Sequence, residues 1–280
     1  MSVVDSTTSE TINLNEIYSF LLEVVPKCGQ VIRDAFYKEK NVTDKANYAD
    51  FVTETDTKVE KILTETLKVK YPKHNFIGEE TTQGKVQFTD APVWIIDPVD
   101  GTTNFVHKFP YCAISIAFYV NKQAQIGVVF NSIRDELFSA IRGQGAYLNG
   151  RTITPSGVTE LNKSQIITEF GSGREGEHLD VKVNNMRVLI EKCHSLRCLG
   201  SSALNTCYVA CGASDLYYEY GIHIWDMAAA TLIAKEAGCT VLDPDGSELN
   251  ILNRRVLVST TKELAQQVIS LIKPVIYESD

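Results

Sequence analysis

Helix-like and strand-like apolar patterns alternate along the second half of the chain, and this alternation constrains the fold most. From residue 165 onward, short apolar runs of strand type are separated by longer segments with apolar residues every three or four positions. The predicted strands are 165–170, 194–199, 215–219, 239–242 and 255–259. The predicted helices are 178–193, 202–211, 225–237 and 262–276. Such alternation is typical of stacked layers of helices and sheet, an α/β fold.

The first half of the chain combines two predicted helices with a series of strands. Apolar spacing predicts an amphipathic helix over 14–37, with Pro26 as the expected position of any kink, and a second helix over 56–71. The predicted strands are 76–78, 93–96, 112–120, 125–131 and 136–141.

The chain reads as a short tail followed by one folded unit. Residues 1–10 show neither the apolar spacing of a helix nor that of a strand, and a flexible N-terminal tail is expected there. Residues 11–280 form the unit, and a shift in composition near residue 150 divides it into an α+β part (about 11–150) and an α/β part (about 151–280).

Composition and charge exclude several classes of protein. The 280 residues are 44% hydrophobic and 22% charged, as in ordinary globular domains. With 27 Lys and Arg against 35 Asp and Glu, the net charge is −8, which gives no general attraction to nucleic acid. The N-terminus lacks signal-peptide features, and the longest uncharged apolar stretch, 109–120, is too short for a membrane span. Seven cysteines without a CxxC pair favour reduced thiols, hence a cytoplasmic protein without a membrane partner.

A glycine-rich string, Gly171–Gly176, matches the GxGxxG spacing of dinucleotide-binding loops. Glu175 and Glu177 would repel a pyrophosphate there, and no second βαβ unit precedes the string. A surface loop is therefore the favoured interpretation, and a nicotinamide-dependent enzyme the disfavoured one.

The string Asp97-Pro-Val-Asp-Gly-Thr102 concentrates residues that carry chemistry. Asp97 ends an apolar strand, a proline then directs the chain out of the sheet, and Asp100 follows. Two carboxylates at the mouth of one strand, together with the carbonyl of Val99, suit hard divalent cations. Gly101 and Thr102 can start a helix whose N–H groups bind phosphate. The string thus predicts a site where cations and a helix start together hold a phosphate group.

Four motifs resemble the signature of the inositol monophosphatase family, within the magnesium-dependent, lithium-sensitive sugar phosphatases. In chain order they are Ala49–Asp56, Phe76–Glu80, Trp94–Phe105 and Ile224–Ala230. The resemblance implies an αβαβα sandwich of the inositol monophosphatase and fructose bisphosphatase type, and a homodimer. It also implies lithium-sensitive, Mg²⁺-dependent hydrolysis of inositol monophosphates to inositol and inorganic phosphate.

The same resemblance implies roles for individual residues. The ligands of two to three Mg²⁺ ions per site would be Glu79, Asp97, the carbonyl of Val99, Asp100 and Asp226. Glu79 and Thr102 would orient a metal-activated water that attacks phosphorus without a phosphoenzyme, and Asp56 would support Thr102. The residues implied to contact the substrate are Asp100, Gly101, Thr102, Gly200, Ser201, Ser202, Glu219 and Asp226.

Three further residues near these motifs carry separate expectations. Ser202 stands where the family usually has alanine, and its added hydroxyl is expected to alter substrate preference. Lys45 resembles a basic residue beside the phosphate, and a solvated surface lysine is an equal alternative. His223 is interpreted as a packing residue near the site rather than as a proton donor.

Two other functions stay open at this point. The first is a related enzyme of the same superfamily that acts on a nucleotide or sugar bisphosphate. The second is a non-catalytic scaffold with the same fold. Every carboxylate that the resemblance requires for cation binding is present in the chain, which argues against the scaffold.

Overall fold

The computed structural model describes residues 1–45, 51–173 and 175–280, which contain two large sheets and two small hairpins. The helices are α1 Leu14–Phe36, α2 Glu54–Lys70, α3 Thr102–Val106, α4 Glu177–Ile190, α5 Ser202–Ala210, α6 Ile224–Ala237 and α7 Lys262–Ile269. The strands are β1 Ser2–Val4, β2 Thr11–Asn13, β3 Val42–Asp44, β4 Phe51–Thr53, β5 Asn75–Gly78, β6 Val93–Asp100, β7 Ala113–Val120, β8 Gln123–Asn131, β9 Glu136–Ile141, β10 Ala146–Leu148, β11 Arg151–Thr152, β12 Gln165–Thr168, β13 Ser195–Arg197, β14 Leu216–Tyr220, β15 Thr240–Leu242 and β16 Arg255–Ser259.

The two large sheets divide the strands by their position in the chain. The first has seven strands in the order β11-β10-β9-β8-β7-β6-β5, antiparallel except for the β5–β6 pair. The second has five strands in the order β13-β12-β14-β16-β15, with β12 parallel to both of its neighbours. The first sheet ends at Thr152 and the second begins at Gln165.

Helices cover both sheets and give five layers. In β7, Ile116 and Phe118 pack with α1 and α2, whereas Ala117 and Tyr119 face α5 and α6. The second sheet packs its inner face on α5 and α6 and its outer face on α4 and α7. The order α–β–α–β–α confirms the predicted layered α/β class, and burial on both faces explains why β7 is apolar except for Ser115.

The central helix α6 lies unusually close to the first sheet. A Cβ atom added to Gly127 of β8 would lie 2.5 Å from the carbonyl oxygen of Ala229. Small residues on both elements therefore let α6 sink onto the sheet, and the start of α6 comes near the end of β6. Within the described residues, no helix combines the length and apolar character needed to cross a membrane.

Two predictions from the sequence need correction. The expected N-terminal tail contains β1, which pairs with β2 as an antiparallel hairpin, and Asp5 within it is buried. The predicted helix 262–276 ends at Ile269, and Pro274, which lacks an N–H and disfavours the helical conformation of the residue before it, prevents a helix from reaching 276. The first helix instead continues through Pro26 to Phe36.

Candidate active site

The site is built where β6 leaves the first sheet. The pairing of β6 with β7 is irregular between Asp97 and Asp100, and the backbone N–H of Val99 donates to Asp97 Oδ1 at 2.9 Å. Gly101 then has φ of 88°, and an added Cβ would lie 2.9 Å from the carbonyl oxygen of Gly200. Only glycine fits this turn, which starts α3 and leaves the two aspartates at the edge of the sheet.

Three aspartates converge at this point from two distant parts of the chain. One carboxylate oxygen each from Asp97, Asp100 and Asp226 lies within 4.8 Å of the others. Asp226 reaches the cluster from the first turn of α6, where its Oδ2 accepts the backbone N–H of His223 at 2.6 Å. The fold therefore brings Asp226 of the Ile224–Ala230 motif next to Asp97 and Asp100, as the sequence predicted.

Asp100 is held by the start of α5. Its carboxylate accepts the hydroxyl of Ser201 and the backbone N–H groups of Ser202 and Ala203, at 3.2 and 2.8 Å respectively. These N–H groups belong to the first turn of the helix, which has no intrahelical partners for them. The carboxylate thus serves as a cap, and α5 fixes its orientation.

The electrostatics of the cluster are unfavourable in the absence of a cation. Burial, followed by the charges of Glu79 and the other aspartates, raises the pKa of Asp97 well above its ordinary value. Burial and the charge of Asp100 do the same for Asp226, and burial raises the pKa of Asp100 to about 6. Asp97 Oδ2 is buried and has no hydrogen-bond donor among the described residues. Buried carboxylate oxygens of this kind, all hard ligands, fit a divalent cation such as Mg²⁺.

Glu79 follows β5 and faces the cluster beside Lys45. Its backbone N–H donates to Ile96 in the neighbouring strand at 3.1 Å, and its Oε1 accepts Lys45 Nζ at 2.6 Å. Burial raises the pKa of Glu79 to about 7, although the Lys45 charge opposes this shift. Burial acts to lower the pKa of Lys45, but Glu79 and Glu80 raise it above its usual range. Lys45 therefore pairs with two carboxylates beside the cluster.

Asp56 and Thr102 meet behind the cluster, as predicted. Thr102 Oγ1 lies 3.0 Å from both Asp56 Oδ1 and the carbonyl oxygen of Val99. Asp56 is fully buried in the first turn of α2, and its other oxygen accepts the backbone N–H of Thr53 at 3.1 Å. Burial raises the pKa of Asp56 to about 6. Ala49 and Asp50 of the predicted motif lie outside the described residues.

A cleft of about 610 Å³ opens above the carboxylates. Its lining includes eight of the predicted residues, namely Glu79, Asp100, Gly101, Gly200, Ser201, Ser202, Glu219 and Asp226. Glu219 is buried at the end of β14, where Tyr217 donates its hydroxyl to the carboxylate. Burial and the charge of Glu169 raise the pKa of Glu219 well above its ordinary value.

Sequence reasoning missed the residues that hold the loop before α5. Glu169 accepts the backbone N–H groups of Leu199 and Gly200 at 2.7 and 2.8 Å, and the amide of Asn205 at 3.0 Å. From the other side, Asn104 donates to the carbonyl oxygen of Leu199 at 2.7 Å. One signal was available for Glu169. Glu169 directly follows β12, and Glu219 lies one residue before the end of β14. Since β12 and β14 are parallel neighbours with Thr168 opposite Tyr218, the two glutamates come close together.

The layered fold and the buried carboxylate cluster beneath a cleft define a site of the metal-dependent phosphatase class. A family model described as the inositol monophosphatase family matches residues 13–277, and the chain belongs to this family. It is 42% identical to inositol monophosphatase 1 of Bos taurus, over 95% of this chain and 97% of that protein. It is 41% identical to inositol monophosphatase 2 of Rattus norvegicus, over 95% of this chain and 93% of that protein.

Solved structures resemble this chain over nearly its whole length. The extragenic suppressor protein suhB from Bartonella henselae has a TM-score of 0.85 at 29% identity, covering 93% of this chain and all 100% of that one. The Thermotoga maritima IMPase has a TM-score of 0.82 at 30% identity, covering 91% of this chain and 96% of that one. The fold expected from the motifs is therefore the fold of these proteins.

Proposed function

We propose that the protein hydrolyses inositol monophosphates to inositol and inorganic phosphate in a Mg²⁺-dependent reaction. The observation that carries the proposal is the convergence of Asp97, Asp100 and Asp226 within 4.8 Å, in a chain 42% identical to an inositol monophosphatase. Glu79, at the same edge of the sheet, and the carbonyl of Val99 complete an all-oxygen ligand set. This set would hold two to three Mg²⁺ ions, which supply a Lewis acid and offset the carboxylate charge.

The chain's own residues position the attacking water. The proton of Thr102 Oγ1 is directed to Asp56 or to the Val99 carbonyl, so the hydroxyl oxygen is free to accept a hydrogen bond from a water. Glu79 faces the cleft and offers a carboxylate that can accept the proton of that water. The hydroxyl and the carboxylate therefore orient a water between the carboxylate cluster and the phosphate.

Direct attack by water fits the other groups that line the cleft. Cys198 borders it, but partial burial and the charges of Glu169 and Glu219 raise the pKa of its thiol, so the nucleophilic thiolate is scarce near neutral pH. The hydroxyl of Ser201 is already engaged with Asp100. We therefore propose hydrolysis in one step, without a phosphoenzyme.

The acidic wall of the cleft favours a polyol over a second phosphate group. Glu169 and Glu219 present carboxylates that accept hydrogen bonds from hydroxyl groups, and a buried acceptor rejects analogues that lack the hydroxyl. Among the described residues that line the cleft, Arg254 supplies the one Lys or Arg charge, and it donates to Gly221 and His223. A bisphosphate substrate is therefore disfavoured.

Phosphate release from inositol 1-phosphate, with Mg²⁺ and with EDTA, tests the proposal. We expect release only with Mg²⁺, inhibition by LiCl, and a higher kcat/KM than for nucleotide or sugar bisphosphates. A higher kcat/KM for a bisphosphate would favour the superfamily alternative. Absence of release from every ester, from a preparation that binds Mg²⁺, would favour the non-catalytic scaffold.

We further propose a homodimer located in the cytoplasm, with a small phosphate ester as its substrate and no nucleic-acid partner. All seven cysteines are free thiols, which suits a reducing compartment, and the net charge of −8 disfavours nucleic acid. Sedimentation velocity over a range of protein concentrations measures the mass in solution, and a monomer at every concentration would exclude the dimer.

A further inference from the structure

The segment 275–280, here called the C-terminal segment, lies against the turn that precedes α6. The backbone N–H of Asp280 donates to the carbonyl oxygen of Leu252 at 3.0 Å. The guanidinium of Arg254 lies 5.3 Å from the ring centre of Tyr277, within the range of a cation–π contact. The segment has no helix or strand of its own, yet these contacts fix its end beside the candidate active site.

The carboxylate of Asp280 makes two contacts with the start of α6. Its Oδ1 lies 2.6 Å from His223 Nδ1, and its Oδ2 accepts the backbone N–H of Ile224 at 2.8 Å. The side chain is only 4% exposed. Ile224 is the first residue of α6, so its N–H has no partner within the helix, and a carboxylate is favoured at this end of the helix dipole.

The hydrogen bonds of His223 define its tautomer. Arg254 Nη2 lies 3.0 Å from His223 Nε2, and an arginine can only donate. Nε2 therefore accepts, and Nδ1 carries the proton that is donated to Asp280. The ring also stacks on Trp225 with 4.7 Å between ring centres. Asp280 thus fixes both the orientation and the tautomer of the residue that precedes α6.

The same turn carries a ligand of the proposed cation site. The backbone N–H of His223 donates to Asp226 Oδ2 at 2.6 Å, and Asp226 lies three residues further along. Asp280 and Asp226 therefore both accept hydrogen bonds from the residues that begin α6. We propose that Asp280 is a positioning residue that fixes this turn and so the oxygen that Asp226 presents to a cation. The inference rests on the role of Asp226 in the proposed function.

Two substitutions remove the contacts of Asp280 to different degrees. Asp280→Asn keeps the size of the side chain but has only one acceptor oxygen. It can therefore accept a hydrogen bond from His223 Nδ1 or from the N–H of Ile224, and its N–H₂ group faces the other donor. Asp280→Ala removes both acceptors. Loss of a group that orients a metal ligand weakens metal binding by about 10- to 100-fold, and we expect the lower value for Asp280→Asn. Glu278→Gln, on an exposed side chain of the same segment, is the matched control.

Calorimetric titration with Mg²⁺ of the purified full chain measures the effect directly. We expect the Kd to rise about tenfold in Asp280→Asn, to rise further in Asp280→Ala, and to stay unchanged in Glu278→Gln. The Mg²⁺ concentration for half-maximal phosphate release should rise in parallel, while kcat at saturating Mg²⁺ is largely kept. A merely structural role would lower the amount of active protein without moving this concentration.

A wild-type Kd in either Asp280 variant, shown to be folded by its thermal unfolding midpoint, would overturn the inference. So would a fall in kcat with an unchanged Mg²⁺ dependence. Failure of the proposed function gives a different result, because a wild-type protein that releases no phosphate can still be titrated with Mg²⁺. The calorimetry then tests the position of Asp280 independently of the reaction.

Discussion

Replacement of Asp97 by asparagine is expected to stabilise the metal-free protein and to abolish its response to Mg²⁺. Asn has nearly the same shape as Asp, and its amide oxygen can keep the hydrogen bond from the N–H of Val99. The substitution removes a buried charge that faces Glu79, Asp100 and Asp226. It also removes Asp97 Oδ2, for which the described residues provide no donor.

The magnitude follows from the distances in the cluster. At an effective dielectric constant of about 20, two unit charges 4.8 Å apart repel each other by about 3 kcal/mol. Burial raises the pKa values of these carboxyls, so some of them are protonated near neutral pH and the repulsion is only partly expressed. We therefore expect Asp97→Asn to raise the free energy of unfolding in EDTA by about 1–2 kcal/mol.

Urea unfolding followed by tryptophan fluorescence measures this change, because Trp94 is fully buried in the core. For the wild-type protein, Mg²⁺ at 100 times its Kd should add about 2.7 kcal/mol to the free energy of unfolding. The variant should gain little from the same Mg²⁺ concentration and should release no phosphate. Its stability therefore exceeds that of the wild type in EDTA and falls below it in Mg²⁺.

Asp243→Asn provides a control of opposite sign. Asp243 is also fully buried, but its Oδ2 accepts Arg255 Nε at 2.8 Å. Removal of its charge leaves the buried Arg255 with only the partly exposed Asp245 as an ion-pair partner, and should cost up to about 3 kcal/mol, with or without Mg²⁺. The argument about the carboxylate cluster is refuted if Asp97→Asn destabilises the protein in EDTA as Asp243→Asn does.

Three further outcomes follow from other parts of the structure. His74 is half-buried and accepts Trp94 Nε1 at Nδ1, and burial lowers its pKa from 6.5 to about 4. Between these pH values the unfolded chain binds a proton that the folded protein excludes, so stability should fall as the pH drops through this window. After allowance for partial exposure of the ring, the loss in urea titrations is about 1 kcal/mol and is absent in His74→Gln. Ser202→Ala removes a buried hydroxyl of the cleft and should raise KM for inositol 1-phosphate by up to about tenfold, the value of one hydrogen bond, without a change in Mg²⁺ dependence. Gly127→Ala places a Cβ against the carbonyl oxygen of Ala229 and should lower the free energy of unfolding by about 2–3 kcal/mol; wild-type stability would contradict the close approach of α6 to β8.

The long elements were predictable from the sequence because their apolar pattern is repeated many times. The strands 136–141 and 255–259 begin and end where the pattern does. The last helix was predicted too long, since Ile272 and Val275 have helical spacing but are buried in a segment without helix. Apolar spacing reports burial, and only Pro274 indicated that the backbone there is not helical.

Several of the shortest strands were not predicted from the sequence, because two or three residues do not establish a period; β13 and β15 are the three-residue strands that were predicted. The hairpins β1–β2 and β3–β4, and the strands β10 and β11 at one end of the first sheet, are defined by pairing with neighbouring strands and not by a pattern of their own. The same limit applies to the site. Asp97 and Asp100 were found within one string, whereas Glu169, Asn104 and Asp280 act on loops 30 or more residues away in the chain.

Each aspartate of the carboxylate cluster accepts a hydrogen bond from a backbone N–H group. Asp97 accepts an N–H from its own turn, Asp100 from the start of α5, and Asp226 from the N-cap of α6. These bonds hold the three carboxylates close together, although their charges repel one another. A metal-free site of this kind is preorganised, because the helix starts offset part of the charge before any cation arrives. If the cluster binds Mg²⁺ as proposed, the free energy lost to charge repulsion is recovered when the cation binds. Removal of one acid should then increase the stability of the metal-free protein and weaken Mg²⁺ binding.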